Sequence, residues 1–128
     1  MSLESQGKFV LPSGKELTLL DVLSFCYGLS ETDVQVLMAL LKSSPKSTED
    51  LEQELQLSKA SVNRSLNKLL SMELVKRIKE TGNKAGRPKY LYSAANFDEL
   101  KGKVVKEIED CTSSIRNLIM TQLNPSIR

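Results

Sequence analysis

The sequence predicts a mainly α fold with a small β-hairpin, and three observations predict it. Between Glu16 and Met72 apolar residues recur at helical spacing in four segments, three of them opened by a serine. From Leu74 to Tyr92 the pattern changes to β-formers on either side of a Gly- and Pro-containing turn. From about Phe97 to Leu123 a long, heptad-like helical pattern returns. A chain of 128 residues is one domain's worth and can build a core without disulfides or metal.

Taken in order, residues 1–15 hold Gly7, Pro12 and Gly14 among scattered apolar positions and read as a loosely docked arm. Glu16–Tyr27 is apolar around most of its circumference, so as a helix it needs cover on more than one side, and Gly28 ends it. Ser30 opens a second helix as a capping box with Asp33 in the Glu position, and Val34, Leu37, Met38 and Leu41 form its apolar stripe up to Ser43-Ser44-Pro45. Ser47 caps a short third helix, Thr48–Gln56, with Leu51 and Leu55 on one face and Glu49, Asp50, Glu52 and Glu54 exposed. Ser58 caps a fourth, Lys59 to about Met72. Only Gln56-Leu57 separates the third helix from that cap, and so tight a join is a helix-turn-helix. Leu74–Glu80 and Lys89–Tyr92 then form a hairpin around Thr81–Pro88, and Asn96 or Asp98 starts the last helix, which Pro125 stops.

Composition removes several chemistries. There is no histidine, and two cysteines cannot supply the four ligands of a structural zinc site. Histidine-dependent catalysis is absent, and the acidic residues are spread over helix surfaces without a Gly-rich phosphate loop. The expectation is no enzyme, no cofactor and no metal. Cys26 and Cys111 read as small buried hydrophobes, with a redox pair or an inter-chain disulfide as the alternatives. No window approaches the ~20 apolar residues of a membrane span, and the N-terminus lacks a signal-peptide pattern. The expectation is a cytoplasmic chain without a membrane partner.

The net charge of +2 hides a segregated distribution. Ser58–Tyr92 carries nine basic residues against Glu73 and Glu80, a local charge of +7 that leaves −5 on the remainder. A single-sign field confined to one stretch points to a polyanionic partner. On a helical wheel Val62, Leu66, Leu69 and Leu70 face the core. The opposite arc holds Ala60, Arg64, Asn67, Lys68 and Ser71, with Ser61 and Asn63 at its margins and Ser58 and Lys59 at its start. That arc has no carboxylate; its guanidinium, ammonium, amides and hydroxyls are the groups that bond phosphates and base edges. The hairpin adds Lys84, Arg87 and Lys89, with Gly82 and Gly86 allowing close backbone approach, a pattern suited to phosphate or minor-groove contact.

The stretch from Leu57 to Ala94, with Ser58 as cap, Ser61-Val62, Arg64, Leu66 and Leu69, Leu74-Val75 and Gly86-Arg87-Pro88 before Tyr90, resembles the winged helix-turn-helix transcription regulators of the MarR and archaeal TrmB-like group. The resemblance spans roughly Ser30–Ala94. It implies that the helix 59–72 enters the major groove of double-stranded DNA and that the wing 81–90 grips backbone or minor groove. The chain departs from the group in ending soon after one long helix, and no residues identify an effector pocket, so a small-molecule effector stays unknown.

In the last helix Leu100, Val104, Ile108, Cys111, Ile115 and Leu118 lie close to a heptad seam, which Val105, Ile119 and Leu123 widen. The expectation is a homodimer paired through this helix, with Glu16–Tyr27 completing the interface; the alternative is a helix packed back on its own domain. The domain reading is an arm 1–15, a DNA-binding unit 16–95 and a dimerisation helix 96–128. A regulator is the expected function, with a weakly specific chromatin-type protein or a winged-helix protein-interaction module as alternatives.

Overall fold

The computed structural model describes residues 8–80 and 89–125. Five helices and one hairpin follow in the order α1 (Leu19–Tyr27), α2 (Glu31–Lys42), α3 (Thr48–Leu55), α4 (Lys59–Ser71), β1 (Val75–Glu80), β2 (Lys89–Ala94) and α5 (Phe97–Gln122). Capping chemistry sets most boundaries. Ser30 and Ser47 each accept from the backbone of the third helical residue, and Asp33 and Asp50 return the bond to the serine amides. Thr18 and Asp21 form the same box, so α1 starts at Leu19 and not at Glu16. Ahead of it Val10 and Glu16 bridge across a tight turn, so the arm is folded back from Phe9 to Leu17. Gly28 closes α1 at φ 73, a left-handed conformation that suits glycine.

The turn between α3 and α4 asks more of its residues. Gln56 sits at φ 57, and Leu57 N–H bonds the Glu52 carbonyl, which ends α3 and redirects the chain within two residues. Glu73 takes the same left-handed conformation at φ 59 between α4 and the hairpin. β1 and β2 pair antiparallel from Val75↔Ala94 to Glu80↔Lys89, and Lys46 adds an isolated bridge to Tyr92 through two backbone bonds of 2.9 and 2.7 Å.

The core lies among α2, α3, α4 and the base of the hairpin. Leu29, Val36, Leu40, Leu51, Val62, Leu66, Leu69 and Leu74 are buried there. α2 is the central helix, and it corrects the expected stripe: Val36, Leu37, Ala39 and Leu40 are buried, while Val34, Met38 and Leu41 are half-buried. The reason is that α1, α3, α4 and β2 all pack against it, so its covered arc is wider than one face. α1 shows the opposite. Only Leu23 is buried, and Phe25 is 73% exposed, so the helix is not covered on several sides.

Two findings join α5 to α1. The expected free thiols form a disulfide, Cys26–Cys111, within the chain. One turn away Tyr27 Oη donates to Glu107 Oε1 at 2.5 Å, and Lys103 Nζ donates to the other carboxylate oxygen at 2.8 Å. Burial and the Glu107 carboxylate both raise the Tyr27 hydroxyl, which stays protonated. The Lys103 and Tyr27 hydrogen bonds lower the Glu107 carboxyl. Leu100 is buried in the core of its own chain. The first half of α5 therefore packs back on its domain, while Leu118, Ile119, Met120 and Leu123 are exposed.

Among the described residues Asp33 is the buried charge, at 5% exposure. It accepts from the Ser65 hydroxyl at 2.6 Å and the Ser30 amide at 2.9 Å, and Lys68 Nζ lies 3.3 Å away. Burial pushes its carboxyl up, but these partners outweigh burial and hold it below the ordinary carboxylate value. A carboxyl depressed on folding binds its proton more tightly in the unfolded chain. Its contribution to stability is thus present above the unfolded value of roughly 3.9 and is lost as pH falls through the folded value. In urea titrations Asp33→Asn is expected to be less stable by about 1–3 kcal/mol at pH 7 and to lose less on acidification than the wild type. Equal stability and equal acid sensitivity would contradict the role assigned to this carboxylate.

Candidate nucleic-acid interface

The surface opposite the core face of α4 is built by the Ser58 cap, which starts the helix, and by the buried row Val62, Ser65, Leu66 and Leu69, which fixes its rotation. Ser58 Oγ accepts from Ser61 N–H at 3.1 Å and donates to Ser61 Oγ at 3.0 Å, so this pair is engaged in the first turn. Lys59, Ala60, Arg64, Asn67 and Ser71 are exposed, and Ser61 and Asn63 are half-buried at the margins. These positions share the solvent side of one helix, as the wheel predicts, and no carboxylate of α4 lies among them.

Lys68 differs. Its ammonium bonds the Gly28 carbonyl and pairs with Asp33, so it links α4 to the α1–α2 junction. Beside it, Ser30, Thr32, Asp33, Ser61, Arg64 and Ser65 line a polar cleft of about 350 Å³, with Arg64 as its exposed cation. A residue-type argument sees Lys68 as one more free cation. Its carboxylate partner Asp33 is 35 residues upstream, so no local pattern links the two.

The hairpin contributes a second cationic surface. Lys76, Arg77 and Lys79 of β1 are exposed, and the Arg77 guanidinium stacks 4.4 Å from the Tyr90 ring centroid. Sequence reasoning passed over Arg77, although Arg and Tyr near one another on paired strands are the signal for such stacking. Lys89 is exposed at the start of β2 and close enough to Glu49 and Asp50 to help lower both carboxyls, after the larger effect of their hydrogen bonds around the α3 start. Part of its field thus falls on α3. Lys84 and Arg87 lie outside the described residues.

A helix-turn-helix formed by α3 and α4, a following antiparallel hairpin and a basic outer face define a winged helix-turn-helix protein of the transcription-regulator class. The chain belongs to the family described as sugar-specific transcriptional regulator TrmB, which matches residues 23–98. It is a DNA-binding regulator of that fold. An uncharacterized protein of Methanocaldococcus jannaschii is 29% identical over 100 residues, 77% of this chain and 75% of that protein. Among solved structures, the ST1889 protein of Sulfolobus tokodaii is 29% identical with a TM-score of 0.66, over 77% of this chain and 91% of that one. A possible transcriptional regulator from Methanosarcina mazei shares the fold at a TM-score of 0.76 and 20% identity, over 92% of this chain and 98% of that one.

The different surroundings of Arg64 and Lys68 separate two mutants. Arg64→Ala is expected to leave stability within about 0.5 kcal/mol, as for an exposed position, and to lose about 1–3 kcal/mol of discrimination among duplex sequences. Lys68→Ala is expected to cost about 1 kcal/mol of folding stability and to keep the ranking of sequences. Denaturation curves and binding to a panel of duplexes check both; the reverse pattern would overturn the assignment.

Proposed function

We propose that the chain acts as a homodimeric regulator in which α4 reads the major groove and the wing 81–90 contacts backbone or minor groove. The observation that carries this reading is the exposed, acid-free face of α4. A solvated helix face ordinarily mixes Glu with Lys, whereas this one presents Lys59, Arg64 and Asn67 with Ala60 and Ser71. Arg64 and Asn67, with Ser61 and Asn63 at the edge, are the groups for base contact; Ser58, Lys59, Lys84, Arg87 and Lys89 are the groups for phosphate. Lys68 contributes charge near the backbone while holding α4 in place.

Residues 16–95 form the DNA-binding unit in this reading, and 96–128 the pairing element. Leu100 serves its own core, Val104 packs against that core, and Cys111 is bonded to Cys26, so the interface uses the remainder of the seam. Ile108 and Ile115 are half-buried, and Leu118, Ile119 and Leu123 are exposed on the 26-residue helix. Each of these side chains gains about 1.5–3 kcal/mol when fully covered. A two-fold pair also matches the symmetry of palindromic sites.

The test combines sedimentation with a salt titration of duplex binding. The wild type is expected to be dimeric at tens of micromolar, with log K falling against log[salt] at a slope of about −5 to −7. Ile108→Lys with Ile115→Lys is expected to give a folded monomer with roughly half that slope. Absence of binding to any duplex at low salt would end the DNA reading of this surface, and a double mutant that stays dimeric would end the α5 reading.

A further inference from the structure

The geometry points to the Cys26–Cys111 disulfide as a reversible clamp that sets the angle of α5 relative to the DNA-reading unit, so that thiol reduction lowers DNA affinity. The inference rests on the proposed pairing through α5, because only then does that angle reach the DNA.

The clamp holds a helix that is otherwise lightly attached. Of the α5 side chains only Leu100 is fully buried. Beside it an apolar groove of about 510 Å³ opens between Phe97, Lys101 and Val104 on one side and Leu19, Met38 and Leu41 on the other. The base of α5 is therefore loosely packed against α1 and α2. Beyond it come the Tyr27–Glu107 hydrogen bond and then the disulfide, and from Thr112 to Pro125 the side chains are exposed apart from Ile115. Without the covalent bond, the Tyr27–Glu107 hydrogen bond and the apolar contacts of Leu100 and Val104, with the half-buried Ile108 beyond them, are left to fix the direction of the helix.

The lever is long. Leu100 to Leu123 spans about 34 Å of helix, so a swing of about 10° around Leu100 displaces the far end by about 6 Å. Two recognition helices of a dimer must meet major grooves about 34–36 Å apart. Displacements of that size at the pairing end alter the spacing, and an ensemble of spacings pays an ordering cost on binding that a clamped dimer does not.

Both cysteines are half-buried, so a small thiol can reach them. In the reducing step a thiolate of a dithiol attacks one sulfur, forming a mixed disulfide and releasing the other cysteine as a thiolate. The second thiol of the reagent then displaces the first cysteine. The reagent is oxidised to its own disulfide, and Cys26 and Cys111 each gain one electron and one proton. Oxidised glutathione reverses the exchange.

The experiment measures binding of a fluorescein-labelled 40-base-pair mixed-sequence duplex by the full chain, oxidised, reduced with dithiothreitol and reoxidised. Hydrogen exchange is followed in parallel. Reduction is expected to raise Kd about tenfold and reoxidation to restore it, while Cys26→Ser/Cys111→Ser stays at the reduced value throughout. Amides from Val105 to Ser114 are expected to exchange faster on reduction, with those of α2–α4 unchanged. Equal Kd values within twofold would overturn the proposal. So would loss of protection throughout α2–α4 on reduction, since the bond would then be a staple for the whole fold. If the oxidised chain binds no duplex, the DNA reading fails separately, and unchanged exchange in α5 then overturns the clamp by itself.

Discussion

Asp33 sits where three constraints meet, and the orientation of α4 depends on it. Its carboxylate closes the capping box at the start of α2, accepts from Ser65 on α4 and pairs with Lys68 one turn further along α4. Ser65 and Lys68 are three apart and lie on one side of α4, so their two contacts set both the rotation of the helix and its position along α2. The row Val62, Leu66 and Leu69 fills the adjoining core, but apolar contacts alone tolerate small rotations better than a buried charge tolerates an unmade bond. Once Ser65 and Lys68 face α2, Arg64 and Asn67 face solvent.

The same helix thus divides its polar groups between two tasks. Lys68 and Ser65 face inward to the carboxylate, and Lys59, Arg64, Asn67 and Ser71 remain outward. The left-handed Gln56 serves the outward face as well, because it lets α4 start after only three intervening residues, Gln56, Leu57 and Ser58. α5 solves a different problem. Its first half is tied to α1 by a disulfide and a tyrosine–glutamate bond, and its second half keeps an apolar surface that its own domain does not cover. The chain combines a tightly packed unit of α2, α3, α4 and the hairpin with a lightly covered long helix, and the covalent bond ties that helix to α1.

What could be read from sequence follows from the range of each interaction. Ser30 with Asp33, the Ser47 cap and Gly28 act over three or four residues, so residue type and spacing were enough to place them, whereas the return bond from Asp50 to Ser47 is seen only in the structure. The sequence places the start of α1 at Glu16 instead of Leu19 because Thr18 lies inside an apolar run, where its capping partner Asp21 does not stand out from the helix pattern. Gln56 and Glu73 carry no left-handed signature; the packing of α3 on α4 and of α4 on the hairpin imposes it on them. Apart from Lys68, the exposed arc of α4 was legible, since periodicity alone separates it from Val62, Leu66 and Leu69. The inward role of Lys68 was not, because Asp33 is 35 residues away and their meeting belongs to the tertiary fold. For the same reason two cysteines 85 residues apart gave no sign of their bond. The seam of α5 read as one continuous feature, yet the structure assigns its first half to the chain's own core.

Contact of the outward face of α4 with DNA, as proposed, is best probed by amide chemical-shift mapping. An isotopically labelled, oxidised chain would be titrated with a 20-base-pair mixed-sequence duplex at low salt. The largest shifts and broadening are expected on Ser58–Ser71, with a second group at Lys76–Lys79 and Lys89, and Leu118–Leu123 is expected to stay unperturbed. Perturbations centred on α5 or on the exposed acidic side of α3, with Arg64 and Asn67 unmoved, would contradict it.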